Sequence, residues 1–89
     1  MKAVITVTGK DSVGIIAKVA TACADNGANI VDISQSVLQD YFAMIMLADI
    51  DTLTVEFSAF VDKLTALGEE HGLDIHTMHE DIFNTMHHI

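Results

Sequence analysis

Proline and arginine are absent from this 89-residue chain, cysteine occurs once, and no apolar run approaches the length of a membrane span. Each absence narrows the field. With no Pro-rich linker and no low-complexity tract, residues 1–89 are expected to form one domain. The lone Cys23 excludes an intrachain disulfide and fits a reducing cytoplasm. The longest apolar run, Tyr41 to Ala48, is far short of the ~20 residues a bilayer demands. The N-terminus MKAVITVTGK lacks the apolar segment of a secretory signal, so a soluble, cytoplasmic chain with no membrane partner is predicted. Basic charge is also scarce. Four scattered lysines (Lys2, Lys10, Lys18 and Lys63) face 13 acidic residues, and the net charge of −9 opposes direct contact with nucleic acid.

What is present is apolar patterning that changes period. Lys2 to Thr8 alternates Ala3, Ile5 and Val7 against Val4, Thr6 and Thr8, the signature of a strand. After Ser12, Ile15, Ile16, Val19, Ala20 and Cys23 recur at helical spacing, and Asn26-Gly27 supplies a left-handed stop, predicting a helix over roughly Val13 to Asn26. Asn29 to Gln39 and Phe42 to Ile50 read as antiparallel strands joined at Gln39-Asp40. In the second of them Phe42, Met44 and Met46 point one way and Ala43, Ile45 and Leu47 the other. An apolar residue on both faces predicts a central strand, or one covered by a second subunit. Asp51-Thr52 is expected to open a second helix with Phe57, Phe60, Val61, Leu64 and Leu67 as its buried stripe, closed by Gly68 or Gly72. Leu73 to His79 reads as the last strand. Asp81 to Ile89 is a tail, helical if Ile82, Phe83 and Met86 share a side.

The order β-α-β-β-α-β defines an α+β, ferredoxin-like fold: a four-stranded antiparallel sheet with two helices on one face and a short C-terminal tail. NGANI at 26–30 and HGLDI at 71–75 echo one another, each ending a helix with glycine and resuming a strand with isoleucine. A chain of this size buries only about 60% of its unfolded surface. The open face of the sheet therefore gives it reason to dimerise.

Gly9-Lys10-Asp11-Ser12-Val13-Gly14 carries the chemistry. A strand that ends in glycine and re-enters as a helix leaves helical N–H groups unpaired, at the positive end of a dipole suited to a carboxylate. Asp11 or Ser12 can equally serve as a plain helix cap. The glycine spacing matches neither GxGxxG nor GxxxxGK[ST], which excludes a nucleotide loop. Asn29 can donate and accept toward a zwitterion, or simply make the turn into the strand.

The run VTGKDSVGIIAKVATACADNGANIVDISQSVL resembles the first βαβ of an ACT domain, the amino-acid-sensing module of metabolic regulation, and the DIFNTMHHI tail is similar to that of stand-alone bacterial ACT proteins. The likeness spans essentially the whole chain. It implies a ferredoxin-like fold that pairs into dimers and binds a small effector at the interface. On that pattern Gly9, Asp11, Ser12, Val13 and Gly14 supply loop contacts, and Asn29 with Ile30 supply contacts from a neighbouring subunit. Serine-sensing relatives carry histidine, asparagine and proline where this chain has Gly9, Asp11 and Val13. The implied ligand is therefore an amino acid or similar small metabolite, and not serine in particular.

The competing site is a cluster of histidines. His71, His76, His79, His87 and His88 crowd the last quarter beside Glu80 and Asp81, a transition-metal ligand set in type. Strand periodicity nevertheless sends His76 and His79 to opposite faces. No nucleophile-base spacing suggests an enzyme, Cys23 sits on the buried helix face, and Met44, Met46, Met78 and Met86 read as packing. No cofactor is expected. The sequence thus predicts a non-catalytic, ligand-responsive homodimer that acts on a separate protein partner. The rivals are a transcription-associated regulator resembling the ACT-containing repressor of glycine cleavage, a metal-responsive module using His76, His79, His87 and His88, and a pure assembly unit.

Overall fold

A computed structural model describes residues 1–10 and 14–86. The change of period near residue 9 marks the end of the first strand. The elements run β1 (Lys2–Gly9), α1 (Ile15–Asp25), β2 (Asn29–Leu38), β3 (Tyr41–Asp49), α2 (Phe57–Glu70), β4 (Asp74–His79) and α3 (Glu80–Met86). The strands form one sheet in the order β2-β3-β1-β4, with every neighbouring pair antiparallel. This is the ferredoxin-like arrangement the residue pattern predicts. No helix among the described residues is long and apolar enough to cross a membrane.

Register decides which side chains meet. Ala3, Ile5 and Val7 of β1 stand opposite Ala48, Met46 and Met44 of β3, and all six are buried. Ile75 of β4 joins them opposite Val7. Both helices cover this face, α1 through Ile15, Val19 and Cys23 and α2 through Phe60 and Leu64. Removing a side chain of this size from water stabilises by about 1.5–3 kcal/mol. The methionines at 44 and 46 are core filling. The opposite face of β3 carries Ala43, Ile45 and Leu47 on open or half-open surface, so β3 is central and apolar on both faces, as its sequence reads.

The strand ends fall within one residue of the sequence reading, but both helix starts differ from it. α1 starts at Ile15 rather than Val13, because the left-handed Gly14 (φ 72°) precedes it as N-cap. α2 starts at Phe57, not at Asp51-Thr52. Residues 50–56 are held in turns by Leu53 N–H to Ile50 O (3.2 Å), Thr54 N–H to Asn26 O (2.9 Å) and Thr52 Oγ1 to Gly27 O (2.8 Å). Asp51 accepts instead from the N-terminal ammonium at 2.6 Å. These bonds tie the segment to the end of α1, while Leu53 and Val55 pack on the core.

The echo between NGANI and HGLDI is structural. After α1, Ala28 N–H reaches Cys23 O (2.8 Å) and Gly27 N–H reaches Ala24 O (3.1 Å); after α2, Leu73 N–H reaches Gly68 O (2.8 Å) and Gly72 N–H reaches Glu69 O (3.3 Å). Both endings are Schellman motifs, with glycine at the left-handed position. Gly72 closes α2, and Gly68 lies inside the helix. The β2–β3 turn follows the expected Gln39-Asp40, with Gln39 at φ 56°. In β2, Val31 forms a bulge between Ile30 and Asp32. The tail helix α3 packs against β1 and β4. Ile82 is exposed and Phe83 half-buried, whereas Ile89 lies outside the described residues.

The two helix endings differ in crowding, which gives a direct test. At Gly72 (φ 70°) a Cβ would meet nothing within 4 Å, whereas at Gly27 (φ 81°) it would collide with Thr52 O and touch Thr54. Gly72→Ala is expected to cost about 1–2 kcal/mol from the left-handed backbone alone. Gly27→Ala should cost clearly more, as read from urea unfolding midpoints, and equal losses would contradict the described 52–54 contact.

Candidate functional site

The turn between β1 and α1 is built around its glycines. Gly9 packs so closely on Leu73 that a Cβ there would run into the Leu73 side chain, which fixes the end of β1 against the entry to β4. At the other end of the turn, Gly14 has no side chain with which to cap α1, and no acidic residue lies in the first turn of the helix. The first α-helical bond is Lys18 N–H to Gly14 O at 3.1 Å, so the amides of Ile15, Ile16 and Ala17 have no intrahelical acceptor. Gly14 occupies the N-cap position, and the reading of Asp11 or Ser12 as a cap falls on residues outside those described. Asp11, Ser12 and Val13 lie outside the described residues.

Asn29 is exposed and opens β2 opposite Asp49, which in turn faces Lys2. Ile30 is half-buried, stands opposite Ala48 and packs on the core. Their approach is set by the buried Asn26, whose Nδ2 donates to Ala22 O at 2.7 Å and whose backbone carbonyl accepts from Thr54. Gly9 faces Phe42, at the other end of the same ladder. Seven residue steps of strand separate the two ends, roughly 23 Å at ~3.3 Å per residue. One chain therefore brings Gly9, Lys10 and Gly14 to one end of the sheet. It leaves Asn29 and Ile30 at the other.

Two concavities flank the turn. A cavity of about 410 Å³ opens beside Gly9, between Lys10, Tyr41, Gly72 and Asp74. A shallower groove of about 590 Å³ runs between α1 and α2 from Gly14 to His71. The contribution of Tyr41 and Asp74 escapes a linear reading, because they meet Lys10 only through strand register; the one hint is that Gln39-Asp40 turns the chain just before Tyr41.

The histidines do not converge. His76 is exposed on the open face opposite Thr6, while His79 stacks on Phe57 with centroids 4.2 Å apart and planes 34° apart. Among the described residues no three His, Cys, Asp or Glu side chains gather as a metal site. His87 and His88 lie outside the described residues.

With the geometry in hand, four likenesses are informative. Residues 2–78 match the ACT domain family. A UPF0237 protein of Listeria innocua is 48% identical over 87 residues, covering 98% of each chain. A solved ACT domain protein from Streptococcus pneumoniae superposes with a TM-score of 0.81 at 40% identity, over 93% of both chains. A structure described as a glycine cleavage system transcriptional repressor matches at TM-score 0.68 and 28% identity, over 85% of this chain and 43% of that one.

Cys23 offers a check on the helix packing beside the turn. Desolvation pushes its thiol up from 9.0 to about 11. The unfolded chain thus ionises first, so stability is full below about pH 9 and falls as pH rises toward 11. A thiol reagent at neutral pH should leave the native protein unmodified and label it once unfolded. Rapid native labelling would show that α1 does not bury this face.

Proposed function

Because the chain belongs to the ACT domain family, whose regulatory domains generally bind small metabolites and often dimerise, we propose that it is a one-domain, non-catalytic sensor working as a homodimer. Its effector is an amino acid or similar small metabolite. Its output is contact with a separate protein in the cytoplasm. The observation that carries this reading is the separation of the two candidate half-sites within one chain. Gly9 and Gly14 sit at one end of the sheet and Asn29 at the other, so a site using both draws on two copies.

The exposed edge supports such a pairing. β2 is ten residues long, contains no lysine or proline, and hydrogen-bonds only to β3. Val31, Ile33 and Val37 leave apolar surface along it. Unprotected edges of this kind recruit a second strand. Two β2 edges joined antiparallel about a two-fold axis run end to end in opposite senses. Asn29 of a second copy then arrives at the Leu38 end, the end at which Gly9 lies.

In this arrangement the effector carboxylate meets the free amides at the start of α1, and its ammonium lies near Asp11 and the Asn29 carbonyl of the second copy. Binding at a seam couples to partner affinity by linkage: an effector that favours one arrangement of the two copies changes the surface presented to the regulated protein. The likeness to the glycine cleavage repressor favours one second reading, a regulator of transcription. With a net charge of −9 that reading requires a DNA-binding partner.

Subunit mixing tests the shared site. Asn29→Ala removes one half-site and Gly14→Asp blocks the other with a carboxylate. Neither variant alone should show the thermal stabilisation that saturating effector gives the native protein, roughly 2.7 kcal/mol at 100 times Kd. Mixed dimers should recover one intact site in two. No recovery on mixing, or no response of the native protein to any common amino acid, would sink the proposal.

A further inference from the structure

The cavity beside Gly9 is lined by residues of one chain. Its walls follow from register. Thr8 stands between Ala43 of β3 and Asp74 of β4. One step beyond the Gly9–Phe42 pair, Lys10 comes opposite Tyr41, and its Nζ lies 5.7 Å from the centre of the tyrosine ring. On the far side Gly72, which has open space where a side chain would project, leaves a gap between Lys10 and the turn into β4. That gap is the mouth of the 410 Å³ cavity.

Its chemistry is bipolar. The Asp74 carboxylate is exposed, and among the described residues it has no hydrogen bond or ion pair, while Lys10 lies over the face of Tyr41. A cation, an anion and an aromatic ring therefore line one concavity, with Lys10 between Tyr41 on the β3 side and Asp74 on the β4 side. The volume falls in the range of small-molecule sites. In a protein with a net charge of −9, long-range repulsion disfavours a phosphate or dicarboxylate, whereas a zwitterion carries no net charge to oppose. We infer that the Lys10–Tyr41–Asp74 cavity binds a neutral α-amino acid, its carboxylate on Lys10, its ammonium on Asp74 and its side chain along Tyr41. This rests on the sensor reading for the ligand class, but needs neither Asn29 nor a second copy.

The test is a titration of the ¹⁵N-labelled full chain with glycine, L-leucine and L-phenylalanine, with 4-methylvalerate and isoamylamine as probes keeping only one charged end of leucine. At least one amino acid should move the amides of Gly9, Lys10, Gly72 and Asp74. Affinity for it, read at these amides, should fall ten-fold or more in Lys10→Met and in Asp74→Asn. 4-Methylvalerate and isoamylamine should each bind at least ten-fold more weakly than leucine if leucine is the amino acid that responds. The inference is overturned if none of the three moves these amides, if Asp74→Asn binds as well as the native chain, or if a single-charge probe matches its parent. Loss of binding in Asn29→Ala with none in Asp74→Asn would leave the seam site standing and remove this one; the reverse pattern would do the opposite.

Discussion

β3 lies between β1 and β2 and runs antiparallel to both, so β1 and β2 must point the same way. Almost everything functional follows from that constraint. The end of β1 and the start of β2 are forced to opposite rims of the sheet, although only nineteen residues separate Gly9 from the first residue of β2. The helix between them spans that length and returns the chain to the lower rim. A loop–strand site that looks local in sequence thus becomes, in space, two distant half-sites.

The same strand order explains how so small a chain builds a core. β1 and β3 occupy the middle and are flanked on both sides, so their inward residues reach near-complete burial, as does Ile75 of β4, while Ile33 and Val37 of β2 do not. Ile33 and Val37 share the helix side with Met46 and Phe42 by register, yet remain exposed, whereas Ile30 at the start of the same strand packs on the core. The apolar surface left over is therefore concentrated on one edge, where a partner can reach it.

The fold was legible because its signals are periodic or chemical. Ala3, Ile5 and Val7 alternate, Ile15, Val19 and Cys23 recur by helical turns, and Asn26-Gly27 and His71-Gly72 announce both helix ends. The start of α2 was not legible. Asp51-Thr52 resembles a capping sequence, but long-range bonds from Thr52 and Thr54 to Gly27 and Asn26 compete for those residues and win. Of the candidate site, the turn and Asn29 could be picked out as residue types. Their separation could not, since it depends on strand order, and neither could Tyr41 and Asp74, which are brought beside Lys10 by pairing across three strands.

The bulge at Val31 has a consequence for how many molecules can join. A ten-residue edge that could slide against any neighbour, or pair with the β4 edge of the next chain, would propagate into an endless ribbon. The extra residue interrupts the ladder near one end, and the six-residue β4 is too short to match ten. Self-matching about an axis consumes both copies' long edges at once. In the proposed dimer growth would stop at two, with no proline on either border.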